Sequence, residues 1–143
     1  MKQPIVGRVL GRGLLALALA GAVSSCGGDT STATTPTPTS VIDTFNGTLA
    51  AQGSVQFPFT VTTPGVVSAT LTSLNPQATI TVGFGLGQPS AGVCNLITGA
   101  FSESAKVGQP ISGTIGAGSY CVALYDIGNV VGSDDFIITI SHS

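Results

Sequence analysis

The sequence has very few charged residues, and almost all of its positive charge lies at its start. Charged side chains make up 7% of the 143 residues, against about 25% in ordinary soluble domains. Lys2, Arg8 and Arg12 are three of the four basic residues, so the rest of the chain has only Lys106 against six acidic residues. Proteins that bind nucleic acid neutralise its phosphates with clustered Lys and Arg. The composition therefore argues against nucleic acid as a partner.

Tryptophan is absent and there is one histidine, which limits the chemistry that the chain can perform. Nucleophilic catalysis by Ser or Cys needs a base that a third group holds in place. We expect His142 to be a solvated residue near the end of the chain. Asp134 and Asp135 would point to opposite faces of an extended strand, which does not suit paired-carboxylate hydrolysis. We therefore predict no enzymatic activity, and the lack of tryptophan argues against an aromatic platform for sugars.

The first 25 residues have the layout of a secretory signal peptide. Lys2, Arg8 and Arg12 form a positive region, and residues 14–23 form an apolar core that small residues follow, which is the order that export signals share. A membrane-spanning helix needs about 20 apolar residues, so this core is too short to remain in a bilayer. We predict that residues 1–25 are cleaved from the mature protein.

The residues Val23-Ser24-Ser25-Cys26 resemble the lipobox of bacterial lipoproteins. The resemblance implies cleavage before Cys26 and acylation of that cysteine, and two or more acyl chains give a stable anchor. In that family an Asp after the cysteine favours the inner membrane, so Gly27 implies the outer membrane. The alternative is an ordinary cleavage site at residues 20–22, which would leave Cys26 as a free thiol.

Residues 26–40 are mostly Gly, Ser, Thr and Pro and have almost nothing to bury. Such composition cannot offset the conformational entropy of ordering, which predicts a flexible linker after the lipidated cysteine. The remaining residues, 41–143, are enough for a single domain with its own core. The predicted organisation is therefore a signal peptide, a lipidated linker and one domain.

Hydrophobic alternation predicts an all-β domain. Apolar residues recur at every second position in residues 54–61, 67–71 and 79–87, and further strands are predicted at 93–98, 111–115, 119–125 and 136–141. Residues 98–109 are ambiguous, and no segment has a sustained helical period. Pro58 lacks a backbone donor, which predicts an edge strand or a bulge at this position. Short strands at this spacing predict an antiparallel, jelly-roll-like β-sandwich.

Glycines alternate along one predicted strand, at Gly83, Gly85 and Gly87. A phosphate-binding loop would need a helix after these glycines, but Pro89 and the residues after it predict a loop.

Two cysteines, Cys94 and Cys121, fall on predicted strands of an exported chain. They can form a disulfide and leave Cys26 as the odd cysteine, whereas a structural zinc site would need four ligands.

The predicted strands also resemble the bacterial pre-peptidase C-terminal domain (PPC domain). The resemblance lies in the strand pattern of residues 45–49, 55–61, 64–71, 117–125 and 136–140. It implies a jelly-roll-like sandwich that serves as a non-catalytic module, and some members bind calcium or fibrous substrates. The sequence departs from the family's usual setting, because no peptidase precedes the domain and a cysteine pair is present.

Asp126, Asn129, Asp134 and Asp135 form the richest group of oxygen ligands in the sequence. Calcium prefers six to eight such oxygens, so these residues are a candidate calcium site. The alternative is a plain solvated hairpin, because Asp, Asn and Gly are also ordinary turn residues.

Two functional hypotheses remain. One is a membrane-tethered module that binds a protein, peptide or glycan, and the other is a structural component of the cell envelope without a dedicated ligand. An exposed aromatic cluster around Tyr120, Tyr125 or Phe101 would favour binding, whereas a surface that is uniformly Thr and Ser would favour the structural role.

Overall fold

The computed structural model describes residues 39–143. The predicted signal peptide, the predicted lipidation site Cys26 and all but the last two residues of the predicted linker lie outside the described residues. No helix in the described part of the chain is long and apolar enough to cross a membrane. The described residues form eight strands: β1 (Val41–Ala50), β2 (Ser54–Val61), β3 (Gly65–Asn75), β4 (Val82–Ser90), β5 (Val93–Ala105), β6 (Pro110–Ile115), β7 (Gly118–Tyr125) and β8 (Ser133–His142).

The strands pair as one long antiparallel ribbon that is folded back on itself. β1 pairs with β8, β2 with β7, β3 with β6 and β4 with β5. Folding the ribbon adds the pairs β3–β8 and β4–β7. The result is sheet 1, with strand order β1-β8-β3-β6, and sheet 2, with strand order β2-β7-β4-β5. Eight antiparallel strands in two sheets of this order form a jelly roll, so the predicted β-sandwich is confirmed.

The core lies between the two sheets and is built from alternate residues of each strand. On β8, Phe136, Ile138 and Ile140 are buried, while the residues between them are exposed or half-buried. Successive side chains of a strand point to opposite faces of the sheet, which is why the alternation in the sequence correctly predicted the core faces of β2 and β3. The largest fully buried side chains are Phe84, Phe136, Leu49, Leu71, Leu86, Leu124, Ile138 and Ile140.

The hairpin between β4 and β5 is longer than the sequence predicted. The prediction of a loop from Pro89 is wrong, because β4 continues to Ser90 and Pro89 pairs with Cys94. Ala91 and Gly92 both have positive φ, at 51° and 79°, as in the two-residue turns that close β-hairpins. Past Gly87, β4 has no further residue in register with β7, so a proline without an N–H is tolerated there. The ambiguous segment after residue 98 continues β5 to Ala105.

Pro58 lies on an edge strand, as predicted, because β2 is the first strand of sheet 2. The backbone N–H of Asp126 donates to the carbonyl oxygen of Gly53 at 2.9 Å, in the same register as the β2–β7 pairs. Antiparallel residues alternate between bonding the neighbouring strand and pointing away from it. The odd-numbered residues of β2 therefore bond β7, and Pro58 occupies a position whose N–H would face the free edge.

Candidate functional site

The surface of sheet 2 that faces away from the core is the candidate functional site, and we call it the outer face. Strand register places its residues in three rows across β2, β7 and β4. These rows are Pro58, Cys121 and Gly87; Gln56, Ala123 and Gly85; and Ser54, Tyr125 and Gly83. Charged side chains are absent from the three rows. The outer face therefore combines a glycine column on β4 with apolar groups on the neighbouring strands.

The three glycines of β4 let larger groups lie directly on the backbone. A Cβ atom at Gly83 would collide with the ring of Tyr125, and one at Gly85 would collide with the side chain of Phe101. At Gly87, it would lie only 2.7 Å from the sulfur of Cys94. The glycines that suggested a phosphate loop in the sequence thus have a packing role.

A disulfide joins Cys94 on β5 to Cys121 on β7, as the cysteine count predicted. Their Cα atoms are 5.8 Å apart, within the range that a disulfide spans. Since β4 lies between β5 and β7 in sheet 2, the bond passes over β4 at Gly87. It therefore fastens the β4–β5 hairpin to the outer face of the sheet.

Gln56 provides a second attachment for the same hairpin. Its Nε2 donates to the carbonyl oxygen of Gly92 at 2.6 Å, and its Oε1 accepts from the backbone N–H of Cys94 at 2.6 Å. Gln56 lies on β2, and β7 separates β2 from β4 in the sheet. The turn of the β4–β5 hairpin therefore reaches across the outer face of β7 to the edge strand.

A cavity of about 170 Å³ lies beneath this hairpin turn, lined by Gln56, Phe57, Pro58, Pro89, Gly92, Val93, Cys94 and Cys121. Gln56 has the only side-chain amide among these residues, and both ends of that amide are engaged within the protein. The other lining side chains have no hydroxyl, amide or charged group. The cavity is therefore suited to an apolar group rather than to a ligand that needs several side-chain hydrogen bonds.

Apolar side chains remain exposed at the cavity and elsewhere on the outer face. Val93 is 59% exposed and Phe101 is 41% exposed. Tyr125 is half-buried, and its burial, followed by the negative charge of Glu103, raises the pKa of its phenol above the ordinary value. Of the three aromatic residues that the sequence analysis singled out, Phe101 and Tyr125 belong to the outer face. Tyr120 does not, because it is buried in the core against Phe59, with ring centroids 5.9 Å apart.

The corresponding surface of sheet 1 has a different composition. Many of its exposed or half-buried residues bear hydroxyl groups: Thr44, Thr48, Ser68, Thr70, Thr72, Ser112, Thr139 and Ser141. It also exposes the aliphatic side chains of Ile42, Val66 and Ile137, but no aromatic ring. Ser112 and Ser68 are hydrogen-bonded to each other at 3.0 Å. The aromatic surface and the Ser and Thr surface, which we expected to distinguish two functions, thus both occur, on opposite sheets.

The residues of the predicted calcium site already serve as hydrogen-bond partners within the protein. Asp126 accepts four backbone N–H groups, from Gln52, Gly128, Asn129 and Val130, at 2.8 to 3.0 Å. These bonds, that of Gln52 first and that of Val130 next, lower the pKa of Asp126 to about 2. The side chain of Asn129 donates to Thr81 at 2.9 Å. The carboxylate of Asp126 therefore organises the loop between β7 and β8.

Asp134 and Asp135 point to opposite faces of β8, as predicted. Asp134 is fully buried and accepts both the backbone N–H and the side-chain amide of Gln77, at 2.8 and 3.0 Å. Asp135 accepts from the hydroxyl of Thr48 at 2.7 Å. Within residues 39–143, no three His, Cys, Asp or Glu side chains are grouped so that they could hold a metal ion. Calcium binding remains a prediction from the sequence.

The prediction that His142 is a solvated terminal residue is wrong. It is the last residue of β8, only 5% exposed, and its ring lies 5.6 Å from that of Phe59. Its Nε2 is 2.9 Å from Oδ2 of Asp43, and its Nδ1 is 3.4 Å from the carbonyl oxygen of Ser143. The alternation that buries residues 136, 138 and 140 extends to residue 142, which is the signal that could have identified it.

Comparison with models of protein families gives no match. Comparison with curated proteins gives no significant match either. Among solved structures, the chain has a likeness to the crystal structure of the Yersinia pseudotuberculosis-derived mitogen, at 18% sequence identity and a TM-score of 0.49. The match covers 72% of this chain and 86% of that chain. We take no functional inference from it.

The disulfide should act as one unit in the stability of the domain. We expect Cys94→Ala and Cys121→Ala each to lower the free energy of unfolding by roughly 3 to 4 kcal/mol, because the bond joins residues 27 positions apart in the sequence. The double variant should lose little more than either single variant. Urea denaturation of the three variants measures this, and losses that add would show that the two sites act independently.

The Asp126 loop should produce a defined pH dependence. Because the folded pKa is about 2 and the ordinary value is 3.8, its contribution to stability is present above about pH 4 and is lost as the pH falls through about 2. Asp126→Asn should therefore be less stable than the native chain at pH 7, and the difference should shrink at pH 2. Denaturant titrations at both pH values test this; a constant difference would contradict it.

Proposed function

We propose that the chain is a non-catalytic lipoprotein of the bacterial cell envelope, anchored through acyl chains on Cys26, in the outer membrane. Its β-sandwich is a binding module, and the outer face of sheet 2 is the surface that contacts a polypeptide partner. The observation that carries this proposal is the outer face itself, on which Val93 and Phe101 are exposed, Tyr125 is half-buried and an apolar cavity lies beside Val93. Exposed apolar patches with a cavity are typical of interaction sites.

The lining of the cavity favours a peptide or protein over a glycan. Sugars present many hydroxyl groups and need hydrogen-bonding partners in their site. Gln56 has the only side-chain amide in the lining, and one of its N–H donors and one lone pair of its oxygen are already bonded to Gly92 and Cys94, which leaves few side-chain partners for a sugar. An apolar side chain of a polypeptide needs no such partner and gains free energy from burial, about 25 cal/mol for each Å² removed from water.

The surroundings of His142 support a role without catalysis. A general base must be within reach of the group that it deprotonates. His142 is 5% exposed, and its two ring nitrogens face Asp43 and the Ser143 carbonyl. These contacts give the histidine a structural role between β1 and β8.

The cysteines support export and anchoring. A disulfide is typical of proteins in an oxidising compartment such as the periplasm, and Cys94 is bonded to Cys121. Pairing these two of the three cysteines leaves Cys26, which lies in the lipobox-like sequence. The PPC-like strand pattern is consistent with an accessory module of the same kind.

A second candidate function is a structural component of the envelope without a dedicated ligand. The Ser and Thr surface of sheet 1, from Thr44 to Ser141, favours it, because such a surface is well solvated and has no aromatic group. The two candidates differ in one respect that can be measured: only a binding module should have a partner at the outer face of sheet 2.

The full chain in its bacterial host tests both parts of the proposal. Metabolic labelling with a fatty acid should mark the native chain, and Cys26→Ala should abolish the label and release the protein from the membrane fraction.

To locate the binding surface, we place a photo-reactive amino acid at position 93, in place of Val93. It should give adducts with polypeptides. The same group at Val66, which is 64% exposed on sheet 1, is the matched control and should give none.

The contribution of the aromatic ring is tested in the same assay. Phe101→Ser should reduce the adducts at position 93 roughly tenfold, since a buried aromatic contact contributes about 1 to 2 kcal/mol to binding. Parallel samples with calcium and with a chelator test whether the metal contributes. Membrane retention of Cys26→Ala would contradict the anchor, and equal adducts at positions 93 and 66 would contradict the binding surface.

A further inference from the structure

The two sheets have four edge strands, and three of them carry features that hinder pairing with another strand. β2 has Pro58 at a position facing the free edge, β6 is six residues long and begins with Pro110, and β5 has two register shifts against β4. Proline, short length and bulges are the features by which natural sheets protect their edges. The fourth edge, β1, has no proline and no bulge.

β1 is long and regular. All ten residues from Val41 to Ala50 pair with β8 without a register shift. Asp43 is the single charged residue of the strand, and its side chain turns toward the core side, where it contacts His142. The side chains of Ile42, Thr44, Asn46 and Thr48 are exposed on the opposite face.

The backbone groups of β1 that point to the free edge can be identified. The N–H of Ala51 donates to the carbonyl oxygen of Gly132 at 2.9 Å, in continuation of the β1–β8 register. Since bonded and outward positions alternate in antiparallel strands, the odd-numbered residues of β1 bond β8. Ile42, Thr44, Asn46 and Thr48 therefore each direct an N–H and a C=O away from β8, toward an edge that no other described strand covers.

We propose that the β1 edge pairs with the β1 edge of a second copy of this chain. The two copies are related by a two-fold axis at Phe45. Ile42 then lies opposite the second copy's Thr48, and Thr44 lies opposite its Asn46. Every residue of β1 that points to the free edge then faces another such residue. Each of the four therefore bonds the second copy through both its N–H and its C=O. The two copies of sheet 1 become one continuous eight-stranded sheet with eight new backbone hydrogen bonds.

The side chains of β1 are compatible with this register. Asp43 lies opposite the second copy's Gly47, so its carboxylate meets no like charge, whereas a shift of the axis to position 43 would place two aspartates face to face. Phe45 lies opposite its own copy. Phe45 is stacked on Phe57 with ring centroids 5.0 Å apart, and both rings are only partly buried at this side of the sandwich. In the proposed dimer, the rings of Phe45 and Phe57 in one copy would be covered by the same two rings of the second copy.

A cysteine exchange in the full chain tests the register directly. Two differently tagged chains, one with Thr44→Cys and one with Asn46→Cys, are produced together and oxidised in the membrane. The two positions face each other at about 5.5 Å between Cα atoms in the proposed pair, within disulfide reach. A covalent dimer carrying both tags is expected, while either variant produced alone should give at least tenfold less.

Proline substitutions test the edge independently. Thr44→Pro removes an N–H that points to the free edge of β1. We add it to the chain with Asn46→Cys and leave the chain with Thr44→Cys otherwise unchanged. The added proline should abolish the cross-link between the two chains. Thr60→Pro, at the corresponding outward position of β2, is the matched control and should leave the cross-link intact. Thermal unfolding of both variants verifies that each is folded.

Three outcomes would overturn the proposal. One is that the mixed variants give no covalent dimer although both chains fold. Another is that Thr44→Cys alone cross-links as strongly as the mixture, which would mean a different register or random collision. The third is that the cysteines react with a different polypeptide, which would mean that β1 is extended by another partner.

Discussion

Tyr125, Phe101 and the Cys94–Cys121 disulfide lie directly on the backbone of β4, because Gly83, Gly85 and Gly87 place no side chain on the outer face of sheet 2. This close approach determines the rest of the site. It lets the disulfide pass from β5 to β7 over an intervening strand, and it brings the hairpin turn within reach of Gln56. A half-buried ring on such a surface contributes roughly 1 kcal/mol to folding and leaves its other side available for a partner.

The order of the strands explains why the two sheets have different surfaces. The β4–β5 hairpin is the end of the folded ribbon, so its tip has no further strand to pair with and instead lies across the face of sheet 2. Sheet 1 contains the first and last strands of the described chain, and its surface consists mainly of Ser and Thr. The outer face of sheet 2 therefore has the aromatic rings and the apolar cavity, whereas sheet 1 has hydroxyl groups, scattered aliphatic side chains and the free backbone edge of β1.

Much of the fold could be predicted from the sequence, because its information is local. Alternation in residues such as Phe57, Phe59 and Val61 depends only on which side of a strand faces the core. The cysteine count left few ways to pair Cys94, and Pro58 indicated an edge strand whatever its neighbours were. These features need no knowledge of which strands lie side by side.

The rest of the site depends on neighbours that are distant in the sequence. The role of Gly85 could not be predicted, because it depends on Phe101 lying beside it in sheet 2. His142 was misjudged because its proximity to the terminus suggested solvent, whereas its contact with Asp43 joins residues 99 positions apart. The strand at Pro89 was missed because it depends on β7 ending its pairing at Gly87.

The outer face of sheet 2 depends most on the position of the Tyr125 ring against the bare backbone of Gly83. Proton NMR of the folded, disulfide-bonded protein measures it directly, because an aromatic ring displaces the resonance of a proton that lies against its face. We expect an α-proton of Gly83, which has ring atoms of Tyr125 as its nearest neighbours, to be shifted well upfield, while those of Gly113, which has no neighbour within 4 Å of its Cβ position, should be ordinary. Ordinary shifts for both glycines would contradict this arrangement.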